Sequence, residues 1–232
     1  EKMLNWSLNS RLYDGSFPRF NDTPIEDIDV LNEIIIFAKS YVEGVNYKLG
    51  FIRGSLISNY LNQLNSLSSS FGVQHNNLNF EFLNNNMPEP ITSLVDSGLF
   101  IIRPGFGWEL LFKCGNPCPP HLGAHCHSDQ LSFDLFRFGR PLIQEIGTST
   151  YQKGEIRNFE RSSQAHNSAQ LGRENLFGKI IWVEPVQVWS SFRTGLKSRP
   201  INPNSGVLNN WSWVCGSHDG FKSIRASHKR WI

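Results

Sequence analysis

The chain has little net charge. It carries 22 Lys and Arg against 20 Asp and Glu in 232 residues, or +2 with neutral histidines. No strong field of one sign points to nucleic acid or an anionic membrane surface, although local basic patches can still meet an acidic ligand. No apolar run approaches the ~20 residues of a membrane-spanning helix. The first residue is Glu1, and no signal-peptide pattern follows it. None of the four cysteines (Cys114, Cys118, Cys126, Cys215) forms a Cys-x-x-Cys pair, which disfavours a zinc ribbon. A Gly-rich phosphate loop and a Gly-x-Ser-x-Gly nucleophile turn are also missing, which disfavours nucleotide chemistry and serine hydrolysis. There is no internal repeat.

What is present is a change of pattern. Hydrophobic content of 39% and charged content of 18% fit a globular chain. Residues 1–87 read as helical. Thr23 can cap a helix, Pro24 suits its first position and Glu26 can reach back to the cap. Ile28, Leu31, Ile35, Ala38 and Val42 then recur near a 3.6 period until Gly44, and a second helix is expected over Leu56–Leu67. From Pro88 onward short Ile, Val, Phe and Trp runs alternate with Gly, Pro and Asn turns. Strands are expected at Gly98–Arg103, Trp108–Lys113, Leu131–Phe138, Pro141–Ile146, His166–Leu171, Val186–Arg193, Trp211–Cys215 and Phe221–His228. The fold class is therefore α+β, a helical segment over 1–87 followed by an antiparallel β-sandwich over 88–232. The alternation from Phe221 to Ile232 leads us to expect that the sandwich continues beyond the last residue. Cys114 and Cys118 flank a Gly-Asn-Pro turn; they either bridge in an oxidising compartment or stay as partly buried thiols.

Chemistry-bearing residues concentrate between His121 and His166. In His125-Cys-His127-Ser-Asp129, an extended backbone would put His125, His127 and Asp129 on one face. Imidazoles and carboxylates are good zinc ligands. A hairpin turning at Gly139-Arg140 would return Glu145 to the same end. His166, alone, reads as a hydrogen-bonded histidine near a strand end. Tyr151 would ordinarily pack, but beside a cationic centre its pKa would fall toward acid–base use. Arg157, Arg161 and Arg173 either grip carboxylates bidentately or sit as solvated surface charge. Among seven tryptophans, Trp182, Trp189, Trp211 and Trp213 either stack on sugar rings or pack in the core.

Taken together, His125-Cys-His127-Ser-Asp129-Gln130-Leu-Ser-Phe133, Gly139-Arg-Pro-Leu142, Glu145-Ile-Gly-Thr148, Arg161-Ser-Ser and Ala165-His166-Asn167 resemble the heparinase II/III-like family. These are polysaccharide lyases with an α/α toroid followed by an antiparallel β-sandwich. Gly15-Ser-Phe-Pro-Arg-Phe-Asn-Asp22 resembles a connector in the last part of the toroid, and His218-Asp-Gly-Phe221 with His228-Lys-Arg230 resembles a later sandwich hairpin. The resemblance implies β-elimination on a uronate-containing, acidic polysaccharide, with His125 and Tyr151 catalytic and Arg161 and Asn167 binding substrate. It also implies a divalent metal, zinc first, on His127, Glu145 and His166. The family's acid is usually Asp, so Glu145 departs by one methylene, and Ser149 replaces the first aromatic of a Gly-Thr-Tyr-x-Tyr run. A periplasmic or secreted location and a homodimer are further implications. The toroid side of the cleft is expected upstream of Glu1, leaving half a cleft here with little turnover. Two other readings compete: a non-catalytic glycan-binding or structural module of the same fold, and a cupin-like metal enzyme, which also sets His-x-His with Glu on a β fold.

Overall fold

A computed structural model describes residues 6, 9–10, 12, 16–23, 89–119, 121–195 and 198–232. Apart from Thr23, the helices expected over Thr23–Gly44 and Leu56–Leu67 lie outside the described residues.

The described part is mainly antiparallel sheet. A five-stranded sheet runs in chain order: β1 (Ile91–Leu94), β2 (Leu99–Gly105), β3 (Trp108–Lys113), β4 (Phe133–Arg137) and β5 (Arg140–Ile143). After it come the short helix α1 (Glu155–Arg161) and the two-stranded β6 (Leu171–Glu174) and β7 (Ile180–Val183). A three-stranded sheet closes the fold, with β9 (Trp211–His218) between β8 (Pro200–Leu208) and β10 (His228–Trp231).

Strands β2 and β3 are apolar at every position from Leu99 to Ile102 and from Leu110 to Phe112, and both their faces are covered. Phe100, Ile102, Leu110 and Phe112 pack with Leu131 and with Val214 from β9, which joins the two sheets as a sandwich. Leu99, Ile101 and Leu111 face the other way and pack with Leu12 and Phe20 of the N-terminal segment. Fully burying such a side chain stabilises the fold by about 1.5–3 kcal/mol, so Leu12 ties the N-terminal segment to this face.

Several expected strands take other forms. Phe138 and Gly139, at φ 50° and 71°, make the two-residue turn between Arg137 and Arg140, one residue earlier than anticipated. His166–Leu171 is not a strand, because the Asn167 amide takes the ladder's role. Its Oδ1 accepts from Phe133 N–H at 2.8 Å and its Nδ2 donates to Phe133 O at 2.5 Å. Val186–Arg193 carries a single bridge, Val188 to Thr194. Phe221–His228 begins with a 3-10 turn at Lys222–Ile224 and Arg225 at φ 57°, so pairing starts only at His228. The polar edge strand β8 was not anticipated, since Pro200, Pro203 and Gly206 read as turn residues; an edge tolerates them. Nor was α1, which buries Arg157, Glu160 and Arg161 while Ile156 and Phe159 are exposed. Its polar face points inward, the reverse of the usual pattern. The disulfide joins Cys118 to Cys126, not Cys114 to Cys118, and Cys114 and Cys215 are buried free thiols.

Candidate functional site

The residues from Gly123 to Asp129 do not form a strand. A 3-10 turn at Gly123–His125 leads into an irregular loop, pinned by the Cys118–Cys126 disulfide. Without a two-residue period, Asp129 is separated from the histidines in role. It is fully buried and ion-paired to Lys113 Nζ at 2.5 Å. Burial would raise its pKa, but the Lys113 charge and the neighbouring imidazoles hold it below the ordinary value.

Asp22 organises the site. Its Oδ1 lies 2.6 Å from His127 Nε2, and its Oδ2 lies 2.7 Å from His125 Nδ1. The buried Arg157 guanidinium grips both oxygens, Nη1 to Oδ1 at 2.5 Å and Nη2 to Oδ2 at 2.6 Å. The Asp22 carbonyl accepts from the Tyr151 hydroxyl at 3.1 Å. Burial opposes ionisation of Asp22, but hydrogen bonds from His127, Arg157 and His125 hold the carboxyl well below the usual carboxylate range.

The N-terminal segment is fixed where Asp22 needs it. Lys113 Nζ donates to Asn21 Oδ1 at 2.8 Å, Asn21 N–H to Asp129 Oδ2 at 3.3 Å, and Thr148 N–H to Thr23 O at 3.1 Å. Gly147 makes this approach possible. It sits at φ 65°, and a Cβ there would lie 2.2 Å from Thr23 O.

His166 is buried, with Nδ1 against Glu145 Oε2, and the Asn167 N–H donates to Glu145 Oε1 at 3.1 Å. Burial lowers the His166 pKa, but the Glu145 hydrogen bond and charge raise it further, so the net shift is upward. His127 shifts down, because burial outweighs the Asp22 bond. The two rings lie 5.4 Å apart between centroids. A carboxylate only accepts, so in its neutral form each ring presents N–H to its acid and keeps a lone pair on the other nitrogen. Those nitrogens, His127 Nδ1 and His166 Nε2, are buried and have no hydrogen-bond partner among the described residues. Orphaned buried imidazole nitrogens on carboxylate-held rings are what a divalent cation requires. Two such nitrogens fit the group, although among the described residues no three His, Cys, Asp or Glu side chains converge as a ready metal cage.

His125 and Tyr151 lie at the exposed margin. The His125 side chain is 49% exposed, and its ring meets the Tyr151 ring edge-on at 6.4 Å. Arg157 stacks its guanidinium 5.3 Å from the Tyr151 ring. The Tyr151 pKa nevertheless rises, the reverse of expectation, because partial burial and the Asp22 charge outweigh Arg157.

Arg161 and Asn167, expected to bind substrate, are committed to the fold. Arg161 is fully buried. It donates from Nε to Cys126 O at 2.9 Å, from Nη1 to Ser190 O, and from Nη2 to Gly123 O and Thr194 Oγ1 at 3.2 and 2.9 Å. It therefore anchors the histidine loop. Asn167 braces β4 as described. Ser149 donates to Glu160 through its backbone N–H at 2.9 Å and through its hydroxyl. The sequence pattern did not mark Asp22 as a site residue. Its only signal was an Asn-Asp pair in a motif assigned to a connector, because the histidines it meets lie more than a hundred residues away.

The chain belongs to the Heparinase II/III-like, C-terminal family, which matches residues 86–232. Among solved structures it is similar to "Heparinase III-BT4657 gene product", with 18% identity and a TM-score of 0.56, covering 100% of this chain and 29% of that one. It is also similar to heparan sulfate lyase HepC from Pedobacter heparinus, with 18% identity and a TM-score of 0.53, covering 97% of this chain and 28% of that one. The chain thus spans less than a third of the length of these structures, and at such identity they show the fold. No curated protein matches it.

Proposed function

We propose that these residues form the sandwich side of a polysaccharide lyase acting by β-elimination on a uronate-containing chain. The observation that carries this reading is the attachment of His125, His127 and Tyr151 to one residue, Asp22. Family membership supports a polysaccharide as substrate. Residues 1–87, expected from the sequence to be helical, would in this reading be the end of an α/α toroid.

With Asp22 taking the Nδ1–H of a neutral His125, Nε2 keeps a lone pair on a half-exposed ring. That nitrogen suits the base that removes the C5 proton. Tyr151 keeps its proton, because its pKa is raised, so it suits the acid. In the reaction the C5–H pair moves into a C4–C5 double bond, the C4–O bond breaks, and the departing glycosidic oxygen takes the Tyr151 proton. The adjacent carboxylate must be neutralised for C5 to ionise. Arg157 and Arg161 are held by the protein itself, so that cation comes from elsewhere in the whole protein.

His127 and His166 would hold a divalent cation, zinc by preference for imidazole, with Glu145 and Asp22 setting their tautomers. Its contribution would be to tie the histidine loop to the segment carrying His166 and so fix the neighbouring His125. Residues of this chain perform the proton transfers. A periplasmic or secreted location, compatible with the Cys118–Cys126 disulfide, belongs to the same proposal.

Incubating uronate polymers with the protein and following the ultraviolet absorbance of the unsaturated product tests it. Product from the whole protein but not from its His125→Ala variant supports the lyase, and residues 1–232 alone should give little. Binding without product in every uronate polymer would favour the non-catalytic module.

A further inference from the structure

Alternation along β9 gives the three-stranded sheet two unlike faces. Val214, Gly216 and His218 point to the sandwich interior, as does Arg230, whose Nη1 donates to Leu131 O and Asn167 O at 2.6 and 2.7 Å. The opposite face carries Trp211 and Trp213 from β9. Trp231 pairs with Cys215 and Lys229 with Ser217, so both share that outer face. Trp211 is 78% and Trp231 59% exposed.

This face is built. The Trp213 and Trp231 rings lie 5.4 Å apart at 33°, and Lys229 Nζ sits 4.8 Å above the Trp231 ring. Gly206 pairs with Trp213 across β8. A Cβ there would lie 3.0 Å from the indole, tighter than an ordinary contact, so glycine lets that ring lie close against the strand. Neighbouring indoles offer a flat apolar surface that matches the C–H face of a pyranose ring, and the ammonium beside them offers a partner for an acidic substituent.

Charge selects the occupant. Lys229 is the charged side chain among the outer-face positions of β8, β9 and β10, which include no acid.

We propose that this outer face is a second glycan site that binds an acidic polysaccharide through Trp213, Trp231 and Lys229. It stands on the strand face turned away from the sandwich interior, and it holds the chain without cutting it. The ligand class rests on the lyase reading above; the geometry does not.

The test measures binding of a size-defined heparan sulfate oligosaccharide to the intact protein by calorimetry, with neutral maltodextrin as control. Circular dichroism of each variant verifies the fold. Trp231→Ala should weaken binding about tenfold. Lys229→Ala should weaken it and flatten its salt dependence, and neither should change product formation from short oligosaccharides. Wild-type affinity in both variants would overturn the proposal, as would equal binding of maltodextrin, or a concentration-dependent dimer that Trp231→Ala abolishes. Binding lost in His125→Ala alone would overturn the second site and leave the lyase standing. Binding lost in Trp231→Ala, with no unsaturated product from wild type, would keep the second site and remove the lyase.

Discussion

The carboxylate of Asp22 lies between Arg157 on one side and the His127 ring on the other, 2.5 Å from Arg157 Nη1 and 2.6 Å from His127 Nε2. Arg157 is fully buried, so this acid is what makes a guanidinium tolerable there. Asp22→Asn is expected to destabilise the protein by about 3 kcal/mol, the scale for stranding a buried charge, read as a shift of the urea unfolding midpoint. An unchanged midpoint would show that Arg157 is satisfied without Asp22.

The free nitrogens of His127 and His166 lead to a second expectation. Titration against a chromophoric chelator should show wild type taking up zinc, with His127→Ala and His166→Ala losing it. Asp22→Asn and Glu145→Gln, which change the acids that hold those rings, should weaken uptake about 10–100-fold. Equal uptake by wild type and both alanine variants would place any bound ion elsewhere.

His218 predicts the direction of an acid effect. It is buried, its Nδ1 accepts from Gly220 N–H at 3.0 Å, and its Nε2 faces His228 Nδ1 at 3.0 Å. An imidazolium has no acceptor to offer Gly220, and burial, with the His228 charge, depresses the His218 pKa to about 4. A group depressed in the folded state binds its proton more readily when unfolded. It therefore removes stability as pH falls from about 6.5 toward about 4, and the loss levels off below that. The Asp134 carboxyl, raised to about 7 chiefly by burial, works in the opposite sense over the same range. The clean measurement is thus a difference: urea stability of wild type against His218→Gln at pH 7 and pH 5. The variant should lose less on acidification; equal losses would mean that His218 is not the acid-sensitive group.

Gly147→Ala should cost about 3 kcal/mol. The left-handed φ alone accounts for about 1–2 kcal/mol, and the contact with Thr23 O adds to it. Because the strain falls where Asp22 is held, zinc uptake should fall as well. Loss of stability with zinc uptake intact would show that Gly147 supports the sheet and not the site.

Reducing the Cys118–Cys126 bond, or replacing both residues by Ser, should lower stability by about 2.5 kcal/mol from the entropy of a short closed loop. Native protein should resist alkylation at Cys114, whose thiol is pushed up to about 12 by burial and by Cys215. Mass spectrometry before and after unfolding should count two newly modified thiols.

How much could be read in advance follows from which interactions are local. Strand β3 was legible in full, because its apolar run between turn residues is too short for a helix and too apolar for a loop. The β4–β5 hairpin and the placing of Glu145 by His166 followed from a short turn and from the family motifs. Helix α1 was not legible, because it turns Arg157 and Arg161 inward and Ile156 and Phe159 outward, and amphipathic patterning assumes the reverse. The task of Arg161 was hidden for a related reason. Apart from the Thr194 hydroxyl, its partners are backbone carbonyls of Gly123, Cys126 and Ser190, and carbonyls leave no mark on residue identity. Asp22 was missed because its partners lie as far along the chain as Arg157.

That separation sets an order of events during synthesis. A ribosome adding roughly 5–20 residues per second releases residue 22 many seconds before the guanidinium that will neutralise it, and later still the β9 strand that supplies Val214 to the core. Until then Leu12 and Phe20 have no finished sheet to cover. The leading segment stays uncommitted in the meantime, so a holding chaperone would raise the yield of correctly closed molecules.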